Sequence, residues 1–175
     1  MIQLKLLLVP LLVSCALLLA QTAHYRHSGT LALPDPTITP GTVNHDIEAD
    51  LSKAPRLVNG IEVNICAKDF RTGPFRKTTA VMKRQVCQEY GAADCPNPAK
   101  GEIDHLIPLE IGGQDVIENL WWQPAPDYHV KDHQVEDQLP KLICAGKISL
   151  SDAQQCISQD WTACAKRIEA MKVGK

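Results

Sequence analysis

Six cysteines follow an apolar leader: Cys66, Cys87, Cys95, Cys144, Cys156 and Cys164. They constrain the fold more than any other feature. An even cysteine count behind an export signal argues for disulfides formed in an oxidising compartment. None of the spacings is the C-x2-C pair of a zinc knuckle. Six cysteines allow fifteen pairings in principle. Cys87 and Cys95 flank one short segment and are expected to pair locally. Cys156 and Cys164, eight apart, can pair only if a helix breaks between them. Cys66 with Cys144 is then the long-range staple.

The leader is Lys5 followed by Leu6–Ala20, almost all Leu, Val and Ala with one Pro. Fifteen apolar residues fall short of the about 20 that span a bilayer. Residues 1–20 therefore read as a cleaved secretory signal, with cleavage after Ala20 or Ala23. Leu12-Val13-Ser14-Cys15 also looks like a lipoprotein box. The apolar Ala16-Leu17-Leu18-Leu19 behind it suits a lipidated start badly. A secreted or periplasmic protein is the expectation, with lipidation at Cys15 the lesser alternative and no stable membrane span in the mature form.

About 155 residues remain, enough for one domain with a real core. The whole chain carries a net charge of -2, and losing Lys5 brings the mature form near -3. Dedicated DNA-binding domains are usually strongly basic. One stretch is locally basic: Arg71, Arg76, Lys77, Lys83 and Arg84. It reads either as a solvated helix face or as a groove that tracks phosphates.

Residues 21–56 read as an extended, Pro-containing N-terminal arm, with turn signals at Asp35-Pro36 and Thr39-Pro40-Gly41. Leu57–Cys66 alternates about Asn59-Gly60, a hairpin signal. Val81, Met82, Val86 and Tyr90 fall near a 3.6 period and predict a helix over 78–90, ended by Gly91. Glu102–Glu110 reads as a strand, Gly112–Asp115 as its turn and Asn119–Gln123 as the returning segment. A helix starts near Asp127, with Val130, Val135, Leu139 and Leu142 as its apolar stripe. Pro140 is expected to kink it and Gly146 to close it. Ser151-Asp152 is expected to cap a further helix, with a break before Trp161–Ile168. Trp121 and Trp122 read as core or rim aromatics rather than base-stacking platforms.

The chemistry concentrates in Asp104-His105, followed fourteen residues on by Asn119, with Gly112-Gly113 between. Phosphodiester hydrolysis needs a deprotonated water, stabilised charge and a relieved leaving group. One hard metal ion can supply the last two. An imidazole with a pKa near 6.5 suits the first. Adjacent residues on a regular strand point to opposite faces, so the strand must end or turn here for both to serve one site.

This pattern resembles the HNH nucleases, whose hairpin-plus-helix site is called ββα-metal. The resemblance extends to small secreted bacterial HNH endonuclease-like proteins. It is carried by Pro34-Asp35-Pro36, Thr39-Pro40-Gly41, Ile65-Cys66, Lys83, Tyr90-Gly91, Glu102–Gly113 and Asn119-Leu120-Trp121. Lys131-Asp132, Glu136, Leu139, Leu142–Gly146, Ala153-Gln154 and Asp160-Trp161 complete it. It implies an α+β fold, a ββα-metal hairpin and helix flanked by further helices and stapled by disulfides, over 57–175. His105 is then the general base and Asn119 the residue that orients the loop. Asp104 holds the metal. The ligand from the following helix usually lies about nine residues beyond the Asn, which is Tyr128 here; His129 is the favoured substitute and Asp127 the next. Mg²⁺ is the expected ion, with Mn²⁺ or Zn²⁺ as alternatives. Glu102 reads as a solvated strand-end charge with a reach to the metal through water. Lys131 reads as an exposed helical residue or a phosphate contact. The implied function is a secreted metal-dependent endonuclease of low specificity acting on a nucleic acid substrate, DNA or RNA. An exported binding or structural protein that keeps the hairpin without cleaving is the alternative. The sequence names no immunity or inhibitor protein.

Overall fold

A computed structural model describes residues 23–50, 52 and 56–173; the expected signal at 1–20 lies outside them. Among the described residues the chain is mixed α and β. Three antiparallel hairpins and four α-helices pack about one core, and three disulfides join them.

The first hairpin pairs β1 (Tyr25–Ser28) with β2 (Leu31–Pro34). This is the segment read as an arm, and it is packed. Ala32 and Leu33 are buried, and Trp161 Nε1 donates to Ala32 O at 3.0 Å. Thr39, fully buried, donates to Leu120 O at 2.8 Å. A few apolar side chains at irregular spacing suffice for this, because backbone bonds rather than periodic faces dock the segment.

The second hairpin, β3 (Leu57–Val58) with β4 (Ile61–Glu62), turns at Asn59 and Gly60, both with positive φ. That is the geometry an Asn-Gly turn favours. Helix α1 (Ala80–Tyr90) starts at Thr79, whose side chain accepts from Met82 N, and stops at Gly91 with φ 58°.

The third hairpin carries the site. β5 (Gly101–His105) pairs with β6 (Leu120–Pro124), setting Asp104 opposite Trp121 and His105 opposite Leu120. The expected strand to Glu110 stops five residues early. Pro108 has no N–H for a ladder, and Leu109–Ile111 winds into a 3-10 turn. Residues 106–119 thus form an excursion rather than a tight turn.

Past β6, α2 (Asp127–Lys131) runs into a π-helical turn, Asp132–Glu136, with Asp137 N bonded to Asp132 O at 2.9 Å. α3 (Leu139–Cys144) begins with Pro140 in its first turn, where the missing N–H costs nothing. The expected kink is therefore a helix start. α4 (Leu150–Val173) is capped two residues earlier than expected, by Ser149 Oγ on Asp152 N. Asp160, with φ -163° and ψ 99°, interrupts it. This break lets Cys156 reach Cys164. Cys87 pairs with Cys95 and Cys66 with Cys144.

Trp121, Trp161 and Tyr90 are fully buried at the centre, with Trp122 at 3% exposure. Both tryptophans of β6 are core residues, and neither offers a ring to a nucleic-acid base. Each such aromatic contributes about 4–6 kcal/mol of apolar burial before ordering costs.

Candidate active site at the end of the third hairpin

Local chemistry shapes the excursion first. Gly112 has φ +81°, and a Cβ on Gly113 would stand 1.8 Å from Ile107 O. Only glycine fits that second position, so the pair lets the chain fold back on itself. Asn119 then fastens the loop from inside. Its Oδ1 accepts from Ile107 N at 3.0 Å, and its Nδ2 donates to Ile107 O at 2.9 Å and Gln114 O at 2.8 Å. The N-terminal segment clamps the outside: Asn44 N donates to Gly112 O and Gln114 N to Thr42 O.

The loop delivers Asp115 to His105. Asp115 Oδ1 lies 2.9 Å from His105 Nε2, with the two side chains 2% and 7% exposed. The same carboxylate accepts from the Lys77 and Thr78 amides and from Thr78 Oγ1. Burial alone would push the Asp115 carboxyl up, but the Thr78, Lys77 and His105 bonds outweigh it and hold it below its ordinary value. An ionised carboxylate only accepts, so His105 meets it with an N–H at Nε2.

Asp104 belongs to a different cluster. Its Oδ2 takes a 2.6 Å bond from Lys131 Nζ. Lys131 is completely buried, and also donates to Glu136 Oε1 and, at 2.8 Å, to His105 O. Lys131 and Glu136 are five residues apart. In an α-helix positions three and four apart are neighbours; the π turn, with its i to i+5 bonds, brings these two together. Burial would lower the Lys131 pKa, but Asp104 and Glu136 raise it above the ordinary lysine value.

Both clusters border one polar pocket of about 240 Å³, lined by Arg76, Glu102, Asp104, His105, Asp132 and Glu136 among others. Burial, with Asp104 and Asp132 nearby, pushes the Glu102 carboxyl up to about 7. Burial and Asp104 likewise raise Asp132. Glu136 is raised by burial and by Asp104 and Asp132, against the pull of Lys131. Glu102 is thus partly protonated near neutral pH.

The residues expected to hold a metal do not come together. Asp104 is bound by Lys131, while Asp127, 7% exposed, accepts from Ala32 N at 2.7 Å and pins the first hairpin. His129 is exposed, with its ring against Tyr128. Among the described residues no three His, Cys, Asp or Glu side chains are disposed to hold one ion. The expected ligand set does not fit a metal here.

Sequence reasoning missed Asp115, Glu136 and the burial of Lys131, and placed Glu102 only as a strand-end charge with a reach to a metal through water. A signal existed for the burial of Lys131. The apolar stripe chosen from sequence steps five residues from Val130 to Val135, one more than an α-helix allows. The face buried in fact is Asp127, Lys131, Val135 and Leu139, and its first two members are charged. Of the basic run, Arg76 lines the pocket and the Lys83 charge acts on Glu102. The Arg71 guanidinium is spent on its own loop, donating to Lys68 O and Phe70 O.

The chain matches no protein-family model, no curated protein and no solved structure. Among the described residues no helix is long and apolar enough to cross a membrane.

Proposed function

We propose that this chain is an exported phosphodiester hydrolase of the HNH-like, ββα class, acting on DNA or RNA at the pocket below the third hairpin. The observation that carries the reading is the oriented His105–Asp115 pair beside a carboxyl, Glu102, that titrates near neutrality. Acid and base roles fall to groups whose surroundings push their protonation apart. His105, its proton held on Nε2 by Asp115, takes a proton from the attacking water at Nδ1. Protonated Glu102 gives one to the leaving oxygen. Arg76 at the rim meets the phosphate charge, and Asn119 holds the loop that brings Asp115 to His105. With the expected ligand set unassembled, these steps rest on the chain's own side chains. The six paired cysteines fit an oxidising compartment, which agrees with export.

Plasmid nicking by the oxidised mature protein tests this, in EDTA and with Mg²⁺, Mn²⁺ or Zn²⁺, beside His105→Ala. Removing a general base lowers rates by about 10²–10⁴-fold. The wild-type rate falls as pH rises through about 7, where Glu102 loses its proton. EDTA-resistant nicking assigns charge stabilisation to Arg76 and its neighbours; EDTA-sensitive nicking assigns it to an ion brought with the substrate. No cleavage of DNA or RNA under any condition refutes the proposal.

One observation favours a second reading. The residue His105 is only 5% exposed, as a side chain that merely braces the hairpin would be. On that reading the chain is an exported binding or structural protein on the same scaffold, and nicking by wild type but not by His105→Ala excludes it.

A further inference from the structure

The Asp104 carboxylate, expected to hold a divalent ion, is closed by a side chain of this chain. The Lys131 ammonium has three N–H donors, and three oxygens surround it: Asp104 Oδ2 at 2.6 Å, His105 O at 2.8 Å and Glu136 Oε1. Two carboxylates and a backbone carbonyl are the oxygen donors a hard cation takes. They come from two elements, the end of β5 and the π turn, so whatever charge sits among them ties hairpin to helix. Lys131 is completely buried. A lone buried ammonium would shed its proton; the two carboxylates keep this one charged. No other cationic side chain reaches the Asp104–Glu136 pair among the described residues.

We propose that Lys131 is the structural cation of this site: its ammonium does the work of a divalent ion, and the hairpin-plus-helix unit assembles without metal. This goes beyond the proposed activity and stands apart from it, because nothing in it requires that the chain cleave a phosphodiester. The physical logic has a reverse side. Removing the ammonium while keeping the bulk, as in Lys131→Met, leaves a three-oxygen cage with Glu102 and Asp132 close by. That cage is a vacancy for a small divalent ion.

Thermal unfolding of the oxidised mature chain tests this, with Mn²⁺ and with EDTA, alongside Mn²⁺ binding followed by electron paramagnetic resonance. The wild type should melt at the same temperature in EDTA and in Mn²⁺, and bind no Mn²⁺ that Asp104→Asn removes. Lys131→Met should melt on the order of 10 °C lower in EDTA, and recover most of that loss in Mn²⁺ with one ion bound. If Lys131→Met fails to fold in EDTA, refolding it in Mn²⁺ gives the same readout. The proposal is overturned by a wild type that EDTA destabilises, or by a wild-type Mn²⁺ site lost in Asp104→Asn. It is equally overturned by a Lys131→Met protein as stable as wild type, or by one that Mn²⁺ does not restore. Because every readout is stability or ion binding, an inactive protein in the nicking assay leaves this test untouched.

Discussion

Asp104 and His105 are neighbours on β5, yet they are held by two different kinds of interior. His105 meets Asp115, in a loop fastened by Asn119 amide bonds and folded on Gly113. Its side-chain partner Asp115 lies ten residues away, and that carboxylate is held in turn by Lys77 and Thr78. Asp104 meets Lys131 and, through it, Glu136, on the helix that follows β6. Every member of that cluster is ionisable. Both side chains border one pocket, so one strand end supports a hydrogen-bonded loop and a charge cluster together. The first also draws on Lys77 and Thr78 and on the Thr42–Asn44 backbone. The second exists only once the helix docks. The difference teaches that a short motif can be complete in sequence while half of its support lies elsewhere.

The comparison breaks most readily at the charge cluster. Lys131→Ala strands two carboxylates around an emptied ammonium position and should cost about 3–5 kcal/mol, the range for breaking a buried pair. Urea unfolding measures it. On the loop side, Asn119→Ala leaves two carbonyls and one amide without their partner. Unsatisfied buried groups cost about 1–3 kcal/mol each, and with water entering the loop a loss of about 2–3 kcal/mol is expected. An Asn119→Ala loss exceeding the Lys131→Ala loss would reverse the ranking.

The pH dependence of stability separates the two sides by sign. Asp115 has a lowered carboxyl pKa, so its stabilisation is present above the ordinary value of 3.8 and is lost as pH falls below it. Asp115→Asn should flatten the acid limb of a Tm-against-pH curve while lowering Tm at neutral pH. Glu102 is raised from 4.5 to about 7. The folded chain therefore binds the extra proton between those values, and stability falls as pH rises through that window. Glu102→Gln should flatten that slope. This is the smallest effect of the four, because the side chain is only half-buried and solvent screens its charge. A Glu102→Gln protein with an unchanged neutral slope would remove Glu102 from the cluster.

Much of the local structure was legible. Asn59-Gly60 specifies its hairpin because both residues tolerate positive φ, and Gly91 ends α1 for the same reason. The role of Asn119 as loop fastener was implied by the resemblance, and its amide bonds to Ile107 and Gln114 hold that loop. The cysteine pairs followed from separations of eight, eight and 78, once a helix break near Asp160 was admitted. The helix after β6 was misread, because hydrophobic periodicity assigns charged residues outward. Lys131 and Asp127 point inward, each neutralised or bonded by a partner distant in sequence. The N-terminal segment was read as an arm because three buried residues of β2, one buried Thr and Ile47 leave no periodic trace. Asp115 looked like a turn residue, and nothing local tells a turn carboxylate from one that folds under the strand to orient a histidine.

The sequence by itself determined the Asn59-Gly60 turn, the end of α1 at Gly91 and the three cross-links. These depend on backbone preference and on spacing, which act over a few residues or through one covalent bond. Only the tertiary structure decided that Asp104 meets an ammonium, that Asp127 braces the first hairpin, and that His129 faces solvent. Each of those outcomes turns on which charge is desolvated beside which partner. That balance is set when β5, β6 and the π turn pack together, and no stretch of sequence contains it.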